Sequence, residues 1–383
     1  MKNVLLVFGG ESYEHDISIV TAFQIFKKSR LDGYKLTLMY VSRDGRFFIC
    51  DDKKVKLGDF SKNKFNEKIK GVKEVVFVSG EKQKLFTKTR FGLKEFLSVG
   101  TAVFACHGGD GENGRLVTFF EMNGISCSAG NSNALAACMD KFLFKSIAKG
   151  LNLPVVAGVK ITRFEYYSDK GEVLRKLRYL KFPVVIKINS GGSSIGLFLA
   201  SETDCLQKIE EALEFNDDVI IEKFIRGARE FNLAVLGDSK NFEVSEIDEP
   251  LKDNELLTFA DKYLREDASK NKSSKGSMDL SQRRIPTDLP CEIEKKMKDL
   301  AKKVFIKLGL FGVVRIDFLF DELSSKIYIC EVNAIPGSLA YYFFKKNKIL
   351  TNDLLEKLIG VAERNYKKTR IKEEFIVDLL SKN

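Results

Sequence analysis

The chain has 383 residues, 44% hydrophobic and 30% charged, with a formal net charge of +10. This allows two or three domains of ordinary globular composition, and no apolar run approaches the roughly 18 residues needed to span a bilayer. The seven cysteines form no C-x-x-C pair, which argues against a disulfide framework or a zinc site. Cys106 and Cys330 stand inside apolar runs and read as reduced core thiols. The start, "MKNVLLVFGGESYEH", ends its apolar run in acids rather than a cleavage site, so a signal peptide is not expected and the cytoplasm fits best. The excess lysine is dispersed, densest at 53–88 and 367–372, without an aromatic–basic signature. It reads as a solvated surface that can draw in anions, not a nucleic-acid face.

In chain order, "NVLLVF" is continuously apolar, as in a strand covered on both faces, and ends in Gly9 and Gly10. Then "SIVTAFQIFKKS" carries helical spacing, and "KLTLMYVS", "EVVFVSG" and "GTAVFACHGG" are short apolar runs suited to strands. The alternation predicts an α/β domain with a largely parallel sheet. Sites in such sheets lie at the carboxyl ends of strands, where Gly9, Gly10, His107, Gly108 and Gly109 fall. Neither "FGGESYEH" nor "KINSGGSSIG" matches G-x-G-x-x-G or the Walker pattern, so neither supports a nicotinamide-dependent dehydrogenase. The acids of "ESYEHD" suit an ammonium group better than a pyrophosphate, and Glu14 could hold one. The two histidines, His15 and His107, both follow strand ends. A lone histidine is usually a satisfied structural residue, but this shared placement points towards lining of a site.

"NALAACMDKFLFKSIAKGLNLP" reads as one strongly periodic helix opening a second part, with Lys141 on what is by default a solvated face. "FPVVIKINSGGSSIGLFLA" and "DVIIEKFI" read as strands. In "KINSGGSSIG" a strand-end lysine, Lys187, precedes glycines and serines whose backbone N–H groups could cradle phosphate. An ordinary turn between strands would serve equally, and residue types leave both open. A third part runs from about Arg226; its polar "REDASKNKSSKGSMDLSQRR" has the character of a lid or binding loop.

Near the end, "VVRIDFLF" and "KIYICEVN" predict an antiparallel hairpin. With the turn centred on Ser324, Asp317 faces Glu331 and Arg315 faces Asn333. Two carboxylates opposed across a ladder repel. Arg315 offsets part of this, and a divalent cation with oxygen ligands, bound partly through a nucleotide's phosphates, would offset more.

Taken in order, "VFGGESYEHDIS", "HGGDGENG", "MDK", "VIKINSGGSSIG", "IIEKFIRGAREF", "DKYL", "RID" and "EVNAIPG" resemble a D-alanine–D-alanine ligase of the ATP-grasp superfamily, over Asn3 to about Phe344. The resemblance implies an α/β (α+β overall) ATP-grasp fold: a Rossmann-like N-terminal substrate domain at 1–131, a central ATP-grasp subdomain at 132–225 and a C-terminal one at 226–383. It implies ATP held by Lys141, Lys187, Gly191, Gly192 and Ser194, a hinge of Glu222, Lys223, Phe224 and Ile225 against adenine, and Glu230 on the ribose. Asp317, Glu331 and Asn333 would hold two Mg²⁺ ions, with Mn²⁺ an alternative.

In the family, one D-alanine carboxylate takes the γ-phosphate as an acyl phosphate, which the second D-alanine's amine attacks. Glu14 would bind the first ammonium in a network with Ser193 and Tyr263. Arg315 and the Gly337 N–H would stabilise developing charge, and His107 and Lys262 would contact substrate. Tyr263, rather than phenylalanine, favours the dipeptide over the D-lactate ester. The sequence departs from the family at Asn113, within Gly111, Glu112, Asn113 and Gly114, and at Ile188, which replaces proline after Lys187. The "PGMT" plus serine pattern becomes "PGSLAYYFF", leaving Ser338 or Tyr342 to meet the second substrate's carboxylate. A cytoplasmic homodimer without nucleic-acid or membrane partners is implied. Two alternatives stand beside this: a ligase for another acceptor (D-lactate, D-serine or another amino acid), and a catalytically idle ATP-binding protein. Glu14, Arg315 and the complete metal set argue against the idle one.

Overall fold

In the computed structural model, residues 1–61, 65–66, 68–193, 195–250, 283–285 and 287–369 are described. β1 (Lys2–Gly9) runs parallel to β2 (Tyr34–Val41), which pairs antiparallel with β3 (Phe47–Cys50), and β3 with β4 (Val72–Val75). β5 (Lys84–Thr89) and β6 (Gly92–Ser98) form a separate hairpin. β7 (Thr101–Phe104) lies parallel to β1 on its other side and β8 (Ser126–Cys127) parallel to β7, giving the order β4-β3-β2-β1-β7-β8. Val4 to Phe8 are fully buried, which is why this run is apolar without alternation. α1 (His15–Lys28) follows β1, while α2 (Gly109–Glu112) and α3 (Arg115–Met122) follow β7. The core of this sheet includes Phe343, Phe344, Leu354, Leu355 and Leu358 from the far end of the chain.

The segment expected as one helix is two: α4 (Ser132–Met139) and α5 (Lys141–Gly150). Asp140 breaks it in an extended conformation and caps the second helix by accepting from Leu143 N at 2.8 Å. Apolar spacing continues across the break, so periodicity alone does not show it. The central lobe is an antiparallel sheet of β9 (Gly158–Thr162), β10 (Val184–Ile188), β11 (Phe198–Ala200) and β12 (Asp218–Lys223), in the order β11-β10-β12-β9. Beside it lie α6 (Arg163–Ser168), α7 (Lys170–Leu177) and α8 (Cys205–Leu213).

The C-terminal lobe has the order β14-β13-β17-β18, from β13 (Arg229–Asp238), β14 (Asn241–Val244), β17 (Gly312–Asp321) and β18 (Lys326–Asn333). A two-stranded piece joins β15 (Glu249–Pro250) to β16 (Arg283–Arg284). Ala134, Cys138, Phe144 and Ala148 of α4 and α5 pack into this lobe's core with the helix Cys291–Lys307. The polar stretch expected as a loop lies outside the described residues except Arg283 and Arg284, and Arg283 is half-buried rather than solvated. No helix among the described residues is long and apolar enough to cross a membrane.

Candidate active site

The site begins where β1 ends. Gly9 and Gly10 both have φ +94°, and a Cβ on Gly9 would lie 2.1 Å from Val41 O, so the chain can turn here only as glycine. The turn delivers Glu14 to the N-terminus of α1. Its carboxylate accepts a hydrogen bond from Ser193 Oγ and lies where a Cβ on Gly192 or Gly108 would intrude, at 2.5 and 3.0 Å from Oε2. Glu14 therefore joins two glycine loops from different domains.

Both histidines are structural in their contacts. His15 Nδ1 meets Gly10 O at 2.6 Å and Nε2 meets Tyr40 OH at 3.1 Å. His107 Nδ1 meets Ile335 O at 2.8 Å, leaving Nε2 to accept from Thr21 Oγ1 at 2.9 Å, and Thr21 Oγ1 accepts from Ser338 N at 3.1 Å. Burial lowers the pKa of both rings, so both stand neutral in these bonds. His107 thus pins the 335–338 loop to α1. Glu112, named from sequence only as a member of the motif that departs at Asn113, ties the same loop to Gly108: Oε2 accepts from Gly108 N at 3.0 Å and Oε1 from Ile335 N at 3.4 Å. Burial, then the Glu14 charge, pushes its carboxyl up to about 7.

The central lobe supplies cations. Lys141 Nζ bonds Gly191 O, Lys141 N donates to Asn189 O at 3.0 Å, and Phe142 N to Asn189 Oδ1 at 3.0 Å, fixing helix and glycine loop together. Lys141 is not on a solvated face: it is buried, and burial lowers its pKa. Gly191 takes φ +150°, and a Cβ there would meet Ile188 Cδ1 at 2.4 Å, so a side chain would have to displace that of Ile188. Lys187 Nζ lies 2.9 Å from Glu222 Oε2 and 3.6 Å from Cys330 Sγ, so β10 reaches across to β18. Glu222 and Lys223 end β12; Phe224 and Ile225 form the link towards β13, where Glu230 pairs with Leu319. Ser194, Lys262 and Tyr263 lie outside the described residues.

The hairpin supplies acids, through a device the sequence reading missed. Arg315 does pair with Asn333 and Asp317 with Glu331, but Phe318 pairs with Ile329, so Cys330 is an extra residue in a β-bulge. The burial phase shows the effect: Ile327 and Ile329 face the core, then Val332 does, while Cys330, Glu331 and Asn333 are all half-exposed. Without the bulge Glu331 would point into the core. Cys330 is accordingly not a core thiol but faces Lys187. The break in alternation within "IYICEV" was the available signal.

Asp317 takes a two-pronged contact from Arg315 at 2.7 and 2.8 Å, a bond from Asn333 Nδ2 at 3.1 Å and, with its amide oriented to donate, one from Asn232 at 3.0 Å. The opposed carboxylates are thus partly neutralised by Arg315. Among the described residues no three of His, Cys, Asp and Glu cluster as a cation cage. Two carboxylates and an amide on one ladder nevertheless fit a hard cation that completes its shell with phosphate oxygens. Beyond Pro336, Ser338, Leu339 and Ala340 all have φ near +50°, a left-handed turn that non-glycine residues adopt at a cost. Ser338 Oγ donates to Gln24 Oε1 at 2.8 Å. Tyr342 is buried beneath the Arg283 guanidinium, 5.2 Å from the ring centroid, and Arg283 pairs with buried Asp248.

Lys141 bonds the glycine loop whose Ser193 meets Glu14, and Lys187 reaches Cys330 beside Glu331, so groups from all three parts converge on one space. Two antiparallel lobes closing cations against acids, with a parallel-sheet domain presenting a carboxylate, define the ATP-grasp class. The chain matches the family descriptions D-ala D-ala ligase N-terminus over residues 3–129 and D-ala D-ala ligase C-terminus over 147–359. It is 31% identical over 377 residues to the D-alanine–D-alanine ligase of Thermosipho melanesiensis, covering 97% of this chain and 96% of that one. The Sulfurovum sp. D-alanine–D-alanine ligase is 34% identical over 343 residues, 89% of each chain. The solved D-alanine–D-alanine ligase of Coxiella burnetii superposes with a TM-score of 0.76 at 22% identity, covering 96% of this chain and 95% of that one, a likeness of fold. The chain belongs to the D-alanine–D-alanine ligase family.

Proposed function

We propose that the chain is an ATP-dependent ligase joining two D-alanines into D-alanyl-D-alanine for peptidoglycan synthesis, acting in the cytoplasm and, by resemblance to its family, as a homodimer. The observation that carries this is a run of contacts: Lys141 bonds the glycine loop at Gly191, Ser193 of that loop bonds the ammonium-binding acid Glu14, and the phosphate lysine Lys187 reaches Cys330, next to the cation-binding acid Glu331. Glu14, held by Ser193, orients the first substrate through its ammonium. Its carboxylate then faces the lysines and the glycine loop, which fix the transferring phosphoryl group. Asp317, Glu331 and Asn333 would hold Mg²⁺, whose role is to neutralise phosphate charge. Arg315, with the Gly337 N–H, stabilises the oxyanion as the second amine attacks.

The test is phosphate release from ATP and Mg²⁺ with D-alanine, L-alanine, D-lactate or D-serine, with mass analysis of the product. D-alanyl-D-alanine from D-alanine alone is expected. A folded, ATP-binding protein with no amino-acid-dependent turnover would sink the reading. A mixed product would instead favour another acceptor, a reading supported by buried Tyr342 beneath Arg283 where the family places a serine.

A further inference from the structure

Lys145 stands one helical turn beyond Lys141 on α5, and no phosphate-binding role falls to it. Its side chain and that of Glu222 are 4% and 3% exposed, with Lys145 Nζ 2.5 Å from Glu222 Oε1, while Lys187 Nζ takes Oε2 at 2.9 Å. The first contact is close without being aligned: Lys145 Nζ and Glu222 Oε1 are both buried without a hydrogen-bond partner. A buried ionic triad is a costly way to fill space, since apolar side chains of similar volume usually stabilise a fold as well or better. Its value therefore lies in what it does to charge.

Counting charges shows what that is. With Lys145 present, Glu222 is shared by two ammonium groups and the triad carries one net positive charge. Without it, Glu222 and Lys187 would cancel. Lys187 would be locked to a full carboxylate in a low-dielectric setting, where an incoming phosphate would have to displace it. The Glu222 pKa has the same sense: burial alone would raise it, but Lys145 and Lys187 together bring it below the ordinary carboxylate value.

We propose that Lys145 is a positioning residue of the nucleotide site, sharing the charge of Glu222 so that Lys187 is free to turn to a phosphate. It touches no phosphate itself, and the proposal rests on the nucleotide-binding reading given above. The test is equilibrium titration of the native protein and Lys145→Met with Mg-ADP and with AMP, beside steady-state kinetics in ATP. The variant should bind Mg-ADP on the order of tenfold more weakly, the usual scale for loss of an outer partner of a ligating group. AMP binding should fall much less, and KM for ATP should rise more than kcat falls. Adding Glu222→Gln to Lys145→Met should recover most of the Mg-ADP affinity, since Lys187 is then released from a full charge.

Equal Mg-ADP affinity in native and K145M proteins overturns the proposal. So does an equal loss for AMP and Mg-ADP, or a loss that Glu222→Gln does not recover, because either marks a merely structural lysine. Should K145M fail to fold, Lys145→Gln takes its place beside the charge-keeping Lys145→Arg: a Mg-ADP loss with glutamine that arginine does not show supports the proposal, and equal Mg-ADP affinity of the two variants overturns it. A native protein that binds no Mg-ADP would overturn the nucleotide reading itself, and this proposal with it.

Discussion

Arg315 has one guanidinium and two demands on it. In the structure its fork closes on both oxygens of Asp317, the strong planar geometry of charge-assisted pairing. To meet a phosphoryl group or an oxyanion it must loosen that grip, and a cation taking Asp317 would loosen it. Anion and cation binding on this ladder are therefore linked. Arg315→Met is expected to lower kcat by about 10²–10³, the scale of a lost oxyanion donor, while divalent-cation affinity measured with Mn²⁺ and ADP holds or improves. A drop in kcat below tenfold would remove Arg315 from the chemistry. Glu112 gives a pH prediction. Its carboxyl moves from 4.5 to about 7 on folding, chiefly through burial, so between those values the native state binds more protons than the unfolded one. Stability then falls as pH rises through that window, by at most about 3 kcal/mol. Glu112→Gln should flatten the slope in denaturant titrations run from pH 4.5 to 8. An unchanged slope would assign the pH dependence elsewhere.

The single bulge in β18 decides what the hairpin can bind. Cys330→Ala keeps the extra residue and should retain most activity, whereas an alanine inserted between Asp317 and Phe318 would pair with Cys330, remove the bulge, turn Asp317 and Glu331 towards the core face and cost at least about 10²-fold in phosphate release, as misplacements of this kind do. Equal activity of the two variants would show that the bulge has no functional part. The opposition of Asp317 to Glu331 was legible from side-chain alternation and an assumed turn centre. It came out correctly because the actual turn pairs Asp321 with Lys326, one residue off the assumed register, and the bulge at Cys330 restores it. Asp140 is the reverse case: a good capping residue was visible in "CMDKF", but unbroken apolar spacing outweighed it. Asp140→Ala should cost about 1 kcal/mol of stability and weaken Mg-ADP binding through the displaced Lys141, both readable from melting with and without the nucleotide. Pairs such as Lys145 with Glu222 or Asp248 with Arg283 were not legible at all. Their members lie far apart in the chain, and a charged residue in a polar stretch is indistinguishable from a solvated one until the partner is placed.

At the scale of the molecule the three cores are unequal. The N-terminal sheet and the C-terminal lobe each bury long apolar stretches, the former completed by Phe343, Phe344 and the helix Thr351–Thr369. The central lobe has the smallest core, from Ile161 to Ile221, and its sheet joins neither of the others. It is anchored at its rim by bonds that also build the site, namely Asn189 to Lys141, Ser193 to Glu14 and Lys187 to Cys330. Local opening should therefore be easiest there, and amides of β10 and β12 should exchange faster than those of β13 and β17. A nucleotide held by Lys141, Lys187 and the glycine loop bridges this lobe to its neighbours. At a hundred times its Kd it adds about 2.7 kcal/mol against any opening that releases it. Hydrogen exchange with and without Mg-ADP should then show protection gained first in residues 184–223, with the β1–β2 pair little changed. Protection spread evenly over the chain, or concentrated on the parallel sheet, would mean that the lobe does not open on its own and that the nucleotide is gripped elsewhere.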